Sequence, residues 1–467
     1  MTFSYDVVIG LEVHAELNTR TKLFCACPRT GSEVPNTLTC PVCLGHPGSR
    51  PVLNEQALVR ALKVCKALGC SVDDSLVFSR KSYFYPDMSK NFQITQFREP
   101  LGMNGSLPLS ADVSVGLSRV HLEEDPAALG HPQGMGGSEY VLIDYNRAGR
   151  ALVEIVTQPQ ITSPSQAREF LTSLVQVLEY LEVFDADSVI KADANVSIRE
   201  SEFVRVEIKN ITGFKEVERA LAHEIARQRA TLLQGGEVVQ ETRAWNAARR
   251  TTSRMRTKEQ EADYGYIFEP DLRVISGMQA RAQEIVIPEL GFVRAQRFVS
   301  QYGLSVSDAQ VMSSDRLLAD LFESLSKEHD AVSVARWLRR ELLRVLNYAG
   351  LSVRESPLSE ESLSAVIGLV CAGEVSERTG QELMELLVEE EFDVEEYVKK
   401  QGLLQVTDED AITSLCEEVI EEFTEAVADV RAGEEKALNF LVGQVMRKSK
   451  GTAEPESTRE ILRSLIS

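Results

Sequence analysis

From Val7 to Leu17 the chain alternates apolar and polar residues, so Glu12, His14 and Glu16 share one face of a β-strand. Carboxylates flanking an imidazole can ligate a divalent cation or hold a proton. The same alternation returns in Lys191–Arg199, with Lys191, Asp193, Asn195, Ser197 and Arg199 on one side and Ala192, Ala194, Val196 and Ile198 on the other. After a short link, Val204–Lys209 alternates again, presenting Arg205, Glu207 and Lys209, and the two runs should pair as an antiparallel hairpin. A third cluster, His121-Leu-Glu-Glu-Asp125, closes a strand-like stretch that starts near Val113, with Leu142–Gly149 just beyond. A solvent-facing sheet also carries charges, and any one of these strands alone reads that way. Together, carboxylates, Asn, His, Lys and Arg are what a metal-assisted phosphoryl site needs: hard oxygens for Mg2+ and cations for moving negative charge.

A second constellation is Cys25-Ala-Cys27 and Cys40-Pro-Val-Cys43, within a loop-rich stretch that holds Pro28, Pro35, Pro41 and Gly45. Two tight turns, each offering two sulfurs, suit a closed tetrathiolate Zn2+ site, whose role is structural because no ligand position is open. Unliganded thiols are the plainer alternative, and nothing marks the chain as secreted and disulfide-bonded. Cys65, Cys70, Cys371 and Cys416 sit singly in apolar helical patterns and read as small buried hydrophobes.

These residues need a scaffold. The 467 residues are enough for two to four domains, and the 43% hydrophobic content is that of a globular chain. Residues 1–294 read as strand and loop with some helices, 295–407 as a helical domain, and 408–467 as a compact three-helix tail. In the helical domain Ser333–Leu346 repeats apolar residues every three or four positions, as does Glu382–Val388. The acidic run Glu389–Glu391, with Asp393, Glu395 and Glu396, reads as a solvated helix face. Gln401–Asp410 looks like a boundary. The first tail helix carries Ile412, Leu415, Val419, Ile420, Phe423 and Val427 on one stripe. The second ends in the basic residues Arg447, Lys448 and Lys450, and the third is Arg459 to Leu465.

The formal net charge of -21 argues against broad, nonspecific nucleic-acid binding, though not against a local basic patch. No signal peptide and no membrane span is visible, so a soluble, cytoplasmic protein is expected. There is no P-loop, dinucleotide fingerprint, protein-kinase motif set or H-E-x-x-H helix. Any ATP site must therefore be built on the sheet face.

At these residues the chain resembles the GatB family, the B subunit of the tRNA-dependent amidotransferases. The resemblance runs nearly end to end. It is carried by Val8–His14, Pro35-Asn36, Cys40–Gly45, Arg80–Asp87, Lys90–Ile94, His121–Asp125, Asp144–Gly149, Asp193–Ser197, Val206–Asn210 and, late in the chain, Lys436–Met446. It implies an α+β, glutamine-synthetase-like cradle with an antiparallel sheet, an all-α domain and a YqeY-like tRNA-binding tail. It also implies a cytoplasmic heterotrimer with an amidase A subunit and a small C subunit. Such an enzyme takes Glu-tRNA(Gln) or Asp-tRNA(Asn), phosphorylates the side-chain carboxylate with ATP, and amidates it with ammonia channelled from the amidase.

On that resemblance Glu12, His14 and Glu124 are expected to hold Mg2+, with Asp193 and Lys81 in the catalytic set. Lys90, Arg147, Lys209 and Asn195 are expected at phosphate or carboxylate, and Arg447, Lys448 and Lys450 on tRNA. A hydrogen-bonded strand histidine stays open for His14, and ordinary helix-end charge for the tail cations. The chain departs from the family pattern at Lys191-Ala192, where Arg-Cys is common, and at Pro126-Ala-Ala, where Ala-Gly-Lys is usual. It also departs within Tyr264–Asp271. A free-standing small-molecule ligase and a catalytically silent tRNA-binding scaffold are the rival readings.

Overall fold

A computed structural model describes residues 5–110, 113–132, 139–257, 264–405, 409–431, 433–449 and 452–466. It divides into two compact units, residues 1–290 and 291–467.

The first unit is α+β and built on a ten-stranded sheet. The strand Val7–Glu16 lies near its middle, antiparallel to Ala151–Thr157 on one side and to Ile190–Ile198 on the other. Beyond the first neighbour comes Ser114–Glu124; beyond the second, Val206–Lys209 completes the hairpin expected from the sequence. The sheet departs from the expected antiparallel pattern at one pairing, because Val206–Lys209 runs parallel to Glu241–Asn246. A chain that leaves the first of these strands returns only after the long helix Phe214–Leu233, and such a crossover favours a parallel neighbour.

Alternation decides which face is dry. Ile9, Leu11, Val13 and Ala15 are fully buried or nearly so, as are Ala194, Val196 and Ile155 beside them. Over the sheet pack the helices Glu55–Ala67, Pro164–Tyr180 and Phe214–Leu233, whose buried residues include Leu58, Leu62, Phe170, Leu174 and Leu221. Asn54 caps the first of these helices, and its amide also donates to the carbonyls of Thr21 and Lys22, tying the helix to the loop that carries the cysteines. A small sheet, Ser79–Ser82 with Phe92–Thr95 and Ile267–Phe268, is held by Arg80, which forks onto Glu269 at 2.8 and 2.9 Å.

Several charges buried in this unit are held in ion pairs. Glu16 is wholly enclosed and accepts from Arg29 at 3.3 Å and Arg150 at 3.1 Å, while Arg29 also reaches Asp185 at 3.0 Å. Glu16 thus fastens the cysteine loop to the sheet and is committed to that task. At the far edge Glu224, also fully buried, holds Arg227 at 2.6 Å, Arg243 at 3.4 Å and the Thr252 hydroxyl at 2.8 Å.

The second unit is helical, with one apolar core between Phe298 and Val398 and another between Ile412 and Ile466. The helix expected at Ser333–Leu346 runs from Ala331 to Ala349 with a π turn at Leu338–Leu342. Three expectations change. The first tail helix is two, Glu409–Glu422 and Thr424–Arg431; the chain steps at Phe423, whose ring packs edge-on against Phe440 at 5.4 Å. The acidic run is a junction, not one helix face: Glu389 ends a helix, and Asp393 caps the next by accepting from the Glu396 N–H. Cys371 is exposed at the end of the helix Glu360–Cys371, whereas Cys65 and Cys416 are buried. The boundary expected at residues 407 and 408 and the tail residue Lys450 lie outside the described residues. Among the described residues no helix is long and apolar enough to cross a membrane.

Removing Arg29 leaves the buried Glu16 with Arg150 as its one remaining cation, so Arg29→Met should cost about 2 kcal/mol in the first unit. The two tryptophans fall one in each unit, Trp245 and Trp337. Denaturant titration should therefore move the Trp245 fluorescence transition to lower denaturant and leave the Trp337 transition in place, each read in a background where the other is Phe.

Candidate active site

Strand register assembles the polar face. His14 stands opposite Glu154 on one neighbour and Lys191 on the other, and Glu12 stands opposite Asp193. Glu154 in turn faces His121, and Asn195 faces Glu207. Since directly opposed residues point the same way, Glu12, His14, Glu154, His121, Glu123, Lys191, Asp193, Asn195, Glu207 and Lys209 line one surface.

The side chains there form a chain of opposite charges. His14 Nδ1 lies 2.8 Å from Glu123 and its Nε2 3.5 Å from Glu12. His121 Nε2 lies 2.9 Å from Glu154, and Lys209 Nζ donates to Asp193 at 2.6 Å. One ligand atom each from Glu12, His14 and Glu154 falls within 4.8 Å of the others, and so do those of His121, Glu123 and Glu154. Burial alone would push the Glu12 carboxyl up, but the hydrogen bond and charge of His14, with Lys209 and Lys81 nearby, bring its pKa down to about 2. Burial would likewise depress the His121 ring, yet Glu154 and Glu123 raise it to about 9. His14 is raised too, against burial, by Glu123, Glu12 and Glu154, and Glu123 is lowered in return by the two imidazoles. The surrounding carboxylates thus favour the protonated form of both histidines.

Lys81 comes from the small sheet. Its ammonium sits 4.7 Å from the Tyr264 ring centroid and 6.0 Å from that of Tyr83, close enough to Glu12 for its charge to count. Of the residues expected from the sequence, Glu12, His14, Asp193, Asn195, Lys209 and Lys81 gather about this face. Glu124 does not join them in either three-residue group. Strand parity explains this: Glu123 shares the Glu154 face, while Glu124 stands opposite Ala151 and points the other way. Its carboxylate accepts from the Ile94 N–H at 2.8 Å and is paired with Lys90. Arg147 donates to the carbonyls of Pro126 and Ala127 and lies 3.4 Å from Asp125.

Sequence reasoning missed Glu154, and it named His121, Glu123 and Lys191 in its polar clusters without assigning any of them a role. A lone glutamate in the apolar run Ala151–Thr157 was the available signal for the first. For His121 and Glu123 it was the alternation of a strand that ends in two consecutive glutamates. In the tail, Lys448 is already paired with Glu418 at 3.1 Å and Glu422 at 2.9 Å, and Arg447 is exposed.

The four clustered cysteines meet as expected. One sulfur from each of Cys25, Cys27, Cys40 and Cys43 lies within 4.8 Å of the other three, which is enough to surround a metal ion. A hydrogen bond from Cys25, the Cys40 N–H at 3.2 Å and the charge of Lys22 pull the Cys43 thiol down to about 4 despite burial. One thiolate is thus already favoured before any metal binds.

Comparison with known proteins gives the same picture of the chain. Residues 7–282 match the model of the GatB/GatE catalytic domain, and residues 320–466 match a second model described as GatB domain. A protein of Carboxydothermus hydrogenoformans, named as the B subunit of aspartyl/glutamyl-tRNA(Asn/Gln) amidotransferase, is 41% identical over 99% of both chains. A protein of the same name from Methanospirillum hungatei is 42% identical over 99% of this chain and 98% of its own. Another, from Haloquadratum walsbyi, is 41% identical over 99% of this chain and 97% of its own. With the catalytic-domain match laid over the whole of the sheet that carries Glu12, His14 and Glu154, the chain belongs to the GatB/GatE catalytic domain family.

Proposed function

We propose that this chain is the B subunit of a glutamine-dependent, tRNA-dependent amidotransferase. On this reading it uses ATP to phosphorylate the side-chain carboxylate of Glu-tRNA(Gln), Asp-tRNA(Asn) or both, and ammonia from an amidase A subunit then displaces phosphate to give the amide. A small C subunit completes the heterotrimer. The observation that carries the reading is the polar face itself: Glu12, His14 and Glu154 close together, ringed by Lys209, Lys191 and Lys81.

The donor set fits a hard divalent cation. Glu12 and Glu154 supply carboxylate oxygens, and the His14 ring, whose proton is favoured by three carboxylates, would give that proton up to offer a ring nitrogen, the ion then balancing the same negative charge. Glu12, His14 and Glu154 would hold Mg2+, while Glu124 stays committed to its pair with Lys90. When bound, the ion shields the negative charge of the triphosphate. The protein's own cations do the rest. Asp193 aims Lys209 across the face, and Lys81, steadied on Tyr264, reaches it from the small sheet; both can meet phosphate oxygens as the free side-chain carboxylate of the esterified amino acid attacks the γ-phosphorus and ADP leaves. An acyl phosphate is the chemical need here, because a free carboxylate offers ammonia no usable leaving group. Structural Zn2+ in the cysteine cluster holds the loop beside this face, and the tail, with Arg447 exposed, meets the tRNA backbone.

The test is the complex reconstituted with the amidase and C subunits and assayed for ATP-dependent amidation of both misacylated tRNAs. A free-standing ligase would turn over without partners, and a silent scaffold would show no Mg2+-dependent ATP hydrolysis. Glu12→Gln should lower amidation by about 10²–10³-fold with tRNA affinity unchanged; wild-type turnover by that variant removes Glu12 from the site. For the tail, Arg447→Ala should weaken tRNA binding and reduce the slope of log K against log salt by about one. An unchanged slope takes Arg447 off the tRNA.

A further inference from the structure

Lys22 is one of the largest fully buried side chains in the molecule. Its ammonium donates to the Leu38 carbonyl at 2.8 Å and the Tyr145 carbonyl at 3.2 Å, and lies 3.7 Å from Cys43 Sγ. Its backbone N–H donates to the Cys27 carbonyl at 3.0 Å. Among the described residues no carboxylate is paired with it, in contrast to the buried Arg29 and Arg150, which share Glu16. An enclosed ammonium with neutral partners alone is strongly disfavoured, and Cys43 Sγ is the group in contact with it that can carry the balancing negative charge.

Four thiolates around a divalent ion carry two negative charges more than the ion cancels. One buried ammonium in contact with a sulfur removes half of that excess. The stem of Lys22 is also fixed in place. A β-carbon built on Gly149 would lie 3.6 Å from Lys22 Cδ and 3.5 Å from Cys43 Cβ, so the turn wraps both. That turn, Asp144 to Arg150, carries Arg147 to Asp125 and Arg150 to Glu16. On the other side of the cluster the Ser89 hydroxyl donates to the Cys43 carbonyl at 2.8 Å, next to Lys90, which pairs with Glu124.

We propose that Lys22 is the counter-cation of the Cys25–Cys27–Cys40–Cys43 metal centre, and the positioning residue through which that centre holds the Asp144–Arg150 turn. This inference rests on the reading of the cluster as a Zn2+ site and adds a residue outside the four ligands. A donor that touches a ligand in this way raises metal affinity by compensating charge and by holding the ligand in its orientation.

The experiment uses the reconstituted complex, with Lys22→Met, which keeps the stem and removes the charge, and Lys22→Gln, which keeps an N–H donor for the Leu38 and Tyr145 carbonyls. Zinc affinity is read by competition with a chromophoric chelator, and the thiolate-to-cobalt charge-transfer band is read after exchange of the metal for Co2+. Both variants should bind zinc about 10–100-fold more weakly. Both should move the band to lower energy, because a sulfur without a neighbouring cation gives up electron density more readily. A general loss of stability would not shift that band. If Lys22→Met does not accumulate as folded protein, Lys22→Gln carries the same measurements. Wild-type affinity and an unmoved band in a folded variant overturn the inference alone. A wild-type chain that takes up neither zinc nor cobalt overturns the metal reading, and this inference with it.

Discussion

The register of one strand governs the candidate site. Val7–Glu16 is paired on both sides, and a slip of one residue would turn Glu12 and His14 into the apolar layer and bring Leu11 and Val13 out. The buried row Ile9, Leu11, Val13 and Ala15 forbids the slip, since it would expose that row and bury unpaired charge. Hydrophobic packing on one side of the sheet therefore fixes the positions of charged groups on the other. The polar face inherits its precision from a layer that takes no part in its chemistry.

On that face histidines and carboxylates are interleaved so that each offsets the charge of the next. His14 and His121 are raised and Glu12 and Glu123 lowered because they lie among one another, each offsetting the burial of the next. Such a cluster is costly to assemble from water and rigid once assembled. Lys191 extends it, lying opposite His14 and 3.7 Å from the buried carboxylate of Asp125. The departure at Lys191-Ala192 thus keeps a cation on the face. The departure at Pro126 keeps the carbonyl to which Arg147 donates.

The cysteine loop acts as a bracket for the edges of the same face. Glu16, Arg29 and Arg150 join it to the sheet from below, Ser89 links it to the segment before Lys90, and Lys22 reaches the Tyr145 carbonyl. Gly45 adopts φ +70, and a β-carbon there would collide with Lys90 Cγ, so the loop and the lysine are packed as closely as a glycine allows. A structural metal in this loop would thereby stiffen residues that it does not touch.

The sequence alone determined what period and spacing encode. Alternation placed Glu12 with His14 and Asp193 with Asn195, and predicted the pairing of Ile190–Ile198 with Val206–Lys209. Paired cysteines announced a shared centre, and motif order announced the family. These are local properties, set by backbone geometry within a strand or turn. Tertiary structure decided which strands became neighbours, and therefore that Glu154, from a run that looks merely apolar, completes a group with Glu12 and His14. It also chose Glu123 over Glu124 for that face, a difference of one residue in a strand whose phase is set by its partner. It assigned Glu16 to a buried ion pair and Lys22 to a sulfur, since the fate of a charge depends on what surrounds it after folding and no spacing rule carries that information.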